Sequence, residues 1–323
     1  MSTGRRLASC ALLLYAAVYA PAAARVPAPA LAFQFRIPCG LTFCGVTALA
    51  VDADGNSYIT GYLDDLVNSA DSYPVTGNAA QKTPSGAFAA KIDRTGTAVV
   101  WSTFLGGPPV YLSGRFSGSH SRDFPTGIAV DAEHNVWIAG NTTSTAFPLV
   151  NPVQTDGASF LVKLNAAGSQ FLYATRFGTN GTSASAVAVD AIGNAYVALS
   201  GIAQRLPLET RSLNDPTSGG VAVAKFNPAG GIVYATRFGS GPSDKIVDLT
   251  VDPIDQVHVI GTPGGASFPL VKPAMTTCAT AGCSFVAALD ASGTNLLFST
   301  YLGARATKSS RRQSPPTDRA RLT

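Results

Sequence analysis

The residues most suggestive of chemistry lie in the stretch AVDADGNSYITG at 50–61, where three oxygen-bearing side chains alternate. They are Asp52, Asp54 and Asn56, and this spacing opens the calcium loop of helix–loop–helix proteins. That loop also needs a bidentate Glu at its twelfth position, which is Leu63 when counted from Asp52. The stretch therefore lacks the ligand that completes such a site.

Only the first Asp of this stretch recurs along the chain, each time followed four places later by Asn or Gln. The recurring carboxylates are Asp52, Asp131, Asp190 and Asp252. The residue before the Asn or Gln is of a type that tolerates positive φ, namely Gly55, His134, Gly193 or Asp255. We interpret the pattern as a hairpin turn in which Asp bonds its own backbone. The alternative is that the four aspartates ring one mouth of a central channel and hold a cation.

Each recurring Asp belongs to a unit of four short runs rich in Val, Ile, Tyr and Phe, separated by Gly, Asn, Asp and Pro. In the first unit the runs are TALAVD, NSYITG, FAAKID and VVWSTFLG, with a Tyr-Pro step between the second and the third. The units occupy 46–107, 125–179, 184–240 and 245–303. Repeated four-stranded units form propeller blades that share a core with their neighbours. The predicted fold is an all-β propeller of four blades, either closed or an incomplete, open one.

Two further positions recur in these units. Trp101 aligns with Tyr or Phe in the other copies, and Trp137 with Tyr58, Tyr196 and His258, so we expect both in the core between blades. Lys91, Lys163 and Lys225 share one strand position, which Ala288 occupies in the fourth copy. Cross-strand pairing of each Lys with Asp or Asn is the expected role.

These motifs resemble the bacterial β-propeller repeat family known as the SBBP, or seven-bladed, repeat, and the opening of each unit is similar to NHL-type repeats. The resemblance rests on GIAVD-x-x-x-N-x-W/Y, the Phe-Pro step, F-x-x-K-L/I-D/N and the terminal Y/F-x-T-x-F/L-G, and it covers 46–303. It implies an exported propeller and carries no common catalytic motif. Only four copies are present, with FQFRIP at 33–38 resembling a lone last strand.

The first 24 residues have the organisation of a secretory signal peptide: Arg5 and Arg6, an apolar run, and Ala22-Ala23-Ala24 as a small-residue cleavage site. The alternative is an uncleaved anchor. Residues 25–45 then form a lead-in with one partial strand, and no membrane span is expected in the mature chain. The predicted location is secreted, cell-surface or periplasmic.

Four cysteines remain after the signal: Cys39, Cys44, Cys278 and Cys283. Each local pair has four intervening residues, and an oxidising compartment favours two local disulfides, 39–44 and 278–283. A zinc site made of all four is the alternative.

The net charge of +4 is concentrated at the two ends of the chain. The segment 304–323 holds six basic residues against one acidic residue, and 1–24 adds two basic residues, so 25–303 has a net charge of −3. A nucleic-acid-binding body needs a basic patch, which argues against that class of partner. The composition of 304–323 is typical of a basic disordered tail. It either binds an anionic surface or arises from a shifted reading frame.

Evidence for catalysis is weak. His120 is the one His outside the repeat, and it lies in an insertion at 108–123 with Arg115, Arg122 and Asp123. His120 is a weak candidate for a general base. The sequence lacks G-x-S-x-G, S-x-x-K and H-E-x-x-H motifs, and it has only two glutamates. We therefore expect neither enzymatic activity nor a cofactor.

The leading prediction for function is an exported, non-catalytic scaffold that binds a protein or a glycan through its loops. The loops at 62–81 and 108–123 are the preferred contact region, with Arg115, His120, Arg122 and Asp123 as binding candidates. The alternatives are a propeller-type lyase or hydrolase that uses His120, and a truncated fragment of a longer SBBP-repeat protein. Open blade faces would also allow self-association, with two four-blade arcs completing an eight-bladed ring.

Overall fold

The computed structural model describes residues 44–63, 73–108, 123–202, 206, 210–214, 219–265, 267–278 and 283–303. Within these ranges the chain forms seventeen β-strands and no helix. The described segments therefore include no helix that is long and apolar enough to cross a membrane. The predicted signal peptide, the partial strand at 33–38 and the basic tail at 304–323 lie outside the described residues.

The strands form four sheets, which we call blades 1 to 4 in chain order, and in each the four main strands pair antiparallel in sequence order. Blade 1 contains β1 Cys44–Val51, β2 Ser57–Leu63, β3 Ala87–Ile92 and β4 Val99–Leu105. Blade 2 contains β5 Asp123–Val130, β6 Val136–Thr142, β7 Ser159–Leu164 and β8 Phe171–Phe177. Blade 3 contains β9 Ser183–Val189, β10 Ala195–Ile202, β12 Gly220–Phe226 and β13 Ile232–Phe238, with the two-residue β11 Arg211–Ser212 parallel to β13 at the outer edge. Blade 4 contains β14 Lys245–Val251, β15 Val257–Thr262, β16 Ser284–Leu289 and β17 Leu296–Leu302.

The first strand of each blade carries a β-bulge at the same place in its pairing with the second strand. In blade 1 the register shifts between Val46 and Ala48, and in blade 4 between Ile246 and Asp248. Blades 2 and 3 shift at the corresponding positions. Because a bulge increases local twist, the repeated bulge gives every blade the same bend at its innermost strand.

The cores lie between the blades rather than within a single sheet. All six residues of β7 are buried, because both faces of blade 2 are covered by neighbouring blades. Trp101 lies in the core between blades 1 and 2, and Trp137 in the core between blades 2 and 3. The expected core position of both tryptophans is confirmed.

The blades stack in sequence order without closing into a ring. The innermost strand β1 packs beside β5, β5 beside β9, and β9 beside β14. Across the described ranges, β14 does not pack beside β1 in this way. The predicted all-β propeller architecture is confirmed, in its open form.

Candidate functional site

The turn between the first two strands has the same construction in every blade. Oδ1 of Asp52 accepts hydrogen bonds from the backbone N–H groups of Asp54, at 3.0 Å, and Asn56, at 2.8 Å. The third turn residue has a left-handed backbone, with φ of +85° at Gly55 and +63° at His134. Corresponding pairs of hydrogen bonds are accepted by Asp131, Asp190 and Asp252. This is the self-bonded hairpin turn that the repeat predicts.

The second oxygen of each carboxylate meets side chains of the same blade. Oδ2 of Asp52 accepts hydrogen bonds from Asn56 Nδ2 at 2.8 Å and the Tyr58 hydroxyl at 3.0 Å, and it lies 3.5 Å from Lys91 Nζ. Lys91 Nζ also lies 4.8 Å from the centre of the Tyr58 ring. We call this Asp–Asn–Tyr–Lys group the carboxylate cluster. The predicted pairing of Lys91 with an Asp is confirmed.

Blade 3 repeats the carboxylate cluster closely. Asp190 Oδ2 accepts hydrogen bonds from Asn194 Nδ2 at 2.6 Å and the Tyr196 hydroxyl at 3.0 Å, and Lys225 Nζ lies 3.6 Å away. Burial opposes ionisation of Asp190, but the donated hydrogen bonds outweigh it, so the pKa of this carboxyl lies below its ordinary value. The pKa of Asp52 is lowered for the same reasons. Burial and the neighbouring carboxylate raise the pKa of the Tyr196 hydroxyl.

In blade 2 a Trp replaces the Tyr of the carboxylate cluster, and the Lys comes closer. Lys163 Nζ lies 3.1 Å from Asp131 Oδ2 and 4.9 Å from the centre of the Trp137 ring. It also donates a hydrogen bond to the carbonyl oxygen of Pro228, in blade 3, at 3.2 Å. Lys163 therefore links the carboxylate of its own blade to the following blade.

In blade 4 the carboxylate cluster is reduced, because Ala288 stands where the other blades have Lys. His258 replaces the aromatic residue, and its Nε2 lies 3.3 Å from Asp252 Oδ2. The Asp252 side chain is 26% exposed, whereas the other three recurring Asp side chains are buried. The contrast shows that the Lys and the next blade together shield the carboxylate from water.

The structure brings together one group that the sequence did not predict. His134, in the turn of blade 2, lies with Nδ1 3.3 Å from Asp52 Oδ2 and Nε2 3.8 Å from Asp54 Oδ2 in blade 1. Gly193 occupies the same place over blade 2, since a Cβ built on it would lie 3.9 Å from Asp131 Oδ2. The turns of blades 2 and 3 therefore each lie over the carboxylate of the preceding blade. This relation can be predicted from the sequence only if the stacking order is known.

Asp52, Asp54 and His134 offer three potential ligand atoms within 4.8 Å of one another, which by number would suit a divalent cation. However, Asp52 Oδ2 already accepts hydrogen bonds from Asn56 and Tyr58 and faces the Lys91 ammonium group. A cation at this oxygen would be repelled by Lys91 and would displace those donors. The geometry therefore favours a structural role for this group.

The opposite end of the blades carries the long connections. In an up-and-down sheet the second and the fourth strand end on the same side. The loop from the second to the third strand and the link to the next blade therefore leave from the same end of the blade. The segments 64–86 and 106–122, which contain most of both predicted contact loops, therefore start at one end of the propeller. Among the described residues, the other end carries only the short turns that join the first strand to the second and the third to the fourth in each blade. Such an end, with long loops on a rigid scaffold, is a typical place for binding.

Asp123 is the one predicted loop candidate among the described residues. It begins β5 and is buried, with Oδ2 accepting a hydrogen bond from Gly107 N at 2.9 Å and Oδ1 from Thr142 Oγ1 at 2.5 Å. Asp244 has the corresponding position before blade 4, where it accepts a hydrogen bond from Gly241 N at 3.0 Å. Asp123 thus anchors the base of the insertion. Arg115, His120 and Arg122 lie outside the described residues.

One of the two predicted local disulfides lies among the described residues. Cys278 and Cys283 are bonded, with their Cα atoms 5.7 Å apart. Cys44, at the start of β1, is disulfide-bonded as well, while Cys39 lies outside the described residues. The structure therefore brings the predicted 278–283 pair together.

Several solved structures resemble this chain in shape. A gluconolactonase, XC5397 from Xanthomonas campestris, is 13% identical over 66% of this chain and 52% of its own, with a TM-score of 0.34. A europium-containing methanol dehydrogenase is 12% identical over 80% of this chain and 42% of its own, with a TM-score of 0.42. BamB from Moraxella catarrhalis is 12% identical over 80% of this chain and 77% of its own, with a TM-score of 0.28.

The chain spans about half the length of several of these solved structures, the gluconolactonase among them. Their roles differ, and at these TM-scores the likeness carries no inference about activity. No curated protein sequence matches the chain.

A family model described as a beta-propeller repeat, SBBP, matches residues 100–148. The matched segment starts in the outermost strand of blade 1, contains β5 and β6, and ends at the Phe147-Pro148 step. Its sequence and its place in the stacked blades agree with the motifs on which the resemblance rested. Residues 100–148 therefore match an SBBP-type β-propeller repeat, within a chain whose described residues form four blades of four main strands each.

Proposed function

We propose that this chain is a non-catalytic β-propeller scaffold that binds a protein or a glycan through the long loops at one end of its blades. The single observation that carries the proposal is the unequal distribution of the connections. Both predicted contact loops start at the same end, whereas the opposite end has short, self-bonded turns. A stack of rigid sheets with variable loops at one end is suited to presenting a binding surface.

The state of the carboxylates supports a non-catalytic role. General acid–base catalysis needs a carboxyl or imidazole group that is available to a substrate. Asp52, Asp131 and Asp190 are buried and occupied by donors of their own turns, and Asp123 binds the backbone of a loop base. These four carboxylates hold turns and a loop base of the blades, which supports a structural role for them.

We further propose that the chain is exported. The Cys278–Cys283 disulfide supports this, because such bonds persist mainly in oxidising compartments. The N-terminal Arg-Arg, apolar and Ala-Ala-Ala pattern supports it as well. Expression with a periplasmic fraction assay and N-terminal sequencing of the mature chain would test it. Cytoplasmic retention with an intact Met1 would contradict export.

A loop exchange tests the binding role. The insertion at 109–122 would be replaced by Thr-Asn-Gly, which forms the short link 179–181 between blades 2 and 3. The full chain and the exchange variant would be compared by biolayer interferometry against an array of soluble polysaccharides and against candidate exported proteins. We expect the exchange to leave the thermal midpoint almost unchanged and to weaken binding at least 10-fold.

The matched control changes the opposite end of the same blade. Arg94→Ala and Thr95→Ala lie in the exposed short turn between β3 and β4 and should leave binding unchanged. Binding that survives the loop exchange but is lost in the turn variants would contradict the proposal. Turnover of a soluble substrate by the full chain that is abolished by His120→Ala would replace it with the enzymatic alternative.

A further inference from the structure

One face of blade 1 is buried, although no described blade packs on it. We call the sheet face that packs on the preceding blade the leading face. In blade 2 the central residues of this face share a core with blade 1, and they are Ile138, Phe160, Val162 and Leu164. The residues at the same positions of blade 1 are at most 4% exposed, and they are Ile59, Phe88, Ala90 and Ile92. Their burial needs a cover that the described blades do not provide.

The loop before β3 accounts for one end of this cover. The ring of Tyr73 lies with its centre 4.9 Å from that of Phe88 and 5.4 Å from that of Phe104. Ile92 lies four residues further along β3 than Phe88, which is about 13 Å towards the end with the short turns. A second group must therefore cover Ile92.

The cover is narrower than a blade. Leu49 in β1 is 39% exposed, and Val51 in the same strand is 57% exposed. The counterparts of Leu49 are buried where a preceding blade packs on them, and they are Ile128, Val187 and Leu249. The cover on blade 1 therefore lies over β2 to β4 and leaves the innermost strand open. A single extended segment fits this width, whereas a four-stranded sheet would also bury Leu49.

The chain just before β1 has the sequence that such a segment needs. It reads FQFRIP at 33–38, so an extended backbone places Phe33, Phe35 and Ile37 on one side of the strand. Six residues of strand span about 20 Å. The strand β3, which carries much of the buried face, also has six residues. The segment therefore matches the face in length and in apolar side chains.

A disulfide fixes the junction between this segment and β1. Cys44, the first residue of β1, is disulfide-bonded, whereas Cys278 and Cys283 are bonded to each other. Among the cysteines that follow the predicted signal peptide, this leaves Cys39 as the partner of Cys44. Because a disulfide holds its two Cα atoms about 5.5 to 6 Å apart, the end of the segment must lie beside the start of β1.

Two other segments connected to blade 1 fit this face less well. The segment 64–72 reads DDLVNSADS, and burial of its three aspartates against apolar side chains would be costly. The insertion at 109–122 follows Gly107, whose N–H donates a hydrogen bond to Asp123 at the start of blade 2. Blade 2 packs on the opposite face of blade 1, so the insertion starts on the wrong side.

We propose that residues 33–38 form a strand that lies on the leading face of blade 1 and, held by a Cys39–Cys44 bond, caps this end of the blade stack. Phe33, Phe35 and Ile37 pack over the face that contains Ile59 and Ile92. Stacked repeats need a terminal unit that differs from the others, because its outer side faces water instead of a further repeat. The cap closes this face to other partners and is independent of binding by the loops.

Photo-crosslinking of the full chain tests where the segment lies. Phe35 would be replaced by p-benzoylphenylalanine, a photo-reactive aromatic residue, and the crosslinked peptides would be identified by mass spectrometry. We expect crosslinks to β2 and β3, which the same replacement of Gln34, on the other side of the strand, should not give. Crosslinks to blade 4 instead would overturn the proposal, because they would make 33–38 an added strand of that blade.

Hydrogen exchange tests whether the segment protects blade 1. Phe35→Asp places a charge against the apolar face, so amides of β2 and β3 should exchange at least about 10-fold faster, while blade 3 is unaffected. Gln34→Asp is the matched control and should leave exchange unchanged. Wild-type protection of β2 and β3 in a folded Phe35→Asp chain would overturn the proposal. If that variant does not fold, the crosslinking result decides.

Discussion

The Nζ atom of Lys163 lies 3.1 Å from Oδ2 of Asp131, and both side chains are almost completely buried between blades 2 and 3. Lys163 also donates a hydrogen bond to the carbonyl oxygen of Pro228. The pair thus stabilises a turn of one blade and its junction with the next. In blade 4, where Ala288 replaces the Lys and no further blade packs among the described residues, the equivalent Asp252 is partly exposed.

Lys163→Met should destabilise the chain substantially, because it leaves the Asp131 carboxylate buried without its cation. The expected loss in the free energy of unfolding is about 3 kcal/mol. Urea unfolding would measure it, with the exposed Lys82→Met as the control. In the double variant Lys163→Met/Asp131→Asn the loss should be smaller than in Lys163→Met alone. A loss no greater than that of the control would show that the pair does not stabilise the fold.

Gly293→Ala should disturb the junction between blades 3 and 4. Gly293 has φ of +66°, and an added Cβ would lie 2.6 Å from the Tyr234 ring. The left-handed backbone and the forced ring movement together should cost about 2 to 4 kcal/mol. Thermal unfolding would measure this cost. Gly77→Ala is the control, because a Cβ at Gly77 meets nothing within 4 Å. Equal effects of the two substitutions would contradict the assigned role of Gly293.

Stability should fall in acid because of Asp52 and Asp190. Their pKa values in the folded chain lie below the ordinary value of 3.8, since hydrogen bonds to the ionised carboxyls outweigh burial. The stabilisation they give is therefore present above that value and is lost as the pH falls below it towards the folded pKa. Asp190→Asn should flatten the dependence of the urea midpoint on pH between about pH 5 and about pH 2. A wild-type slope in Asp190→Asn would refute the assignment.

We predict that the four recurring aspartates do not form a calcium ring. Asp131 Oδ1 accepts two backbone hydrogen bonds, and Asp131 Oδ2 faces Lys163 and Asn135 Nδ2, so neither oxygen is directed at a channel ion. Calorimetric titration of the full chain with calcium should give no binding heat. Stoichiometric binding that disappears in Asp131→Ala would restore the ring hypothesis. Binding that disappears in His134→Ala instead would place a cation between Asp52, Asp54 and His134.

The sequence by itself was sufficient for the blade and for its local chemistry. Alternating apolar runs, the recurring Asp with Asn or Gln four places later, and the Lys position predicted four antiparallel units with self-bonded turns and cross-strand ion pairs. These features depend on the period of two of a β-strand and on hydrogen bonds within a turn, so they are set by residues close in the chain or paired across one hairpin. The bonded pair Cys278–Cys283 was predictable for the same reason.

Only the tertiary structure determines the contacts and the burial between blades. His134 meets Asp52 across 82 positions of the chain, and this contact depends on the angle at which blade 2 stacks on blade 1. Asp123 was predicted as a binding residue in a loop, yet it begins β5 and is buried, with its carboxylate accepting hydrogen bonds from Gly107 N and Thr142 Oγ1. Likewise, Ile260 and Ala198 occupy equivalent strand positions. Ala198 is buried where blade 4 packs on blade 3, whereas Ile260 is exposed because no further blade packs on blade 4 among the described residues. Whether a side chain is buried depends on the blades that pack against it, and the sequence of one repeat does not specify those blades.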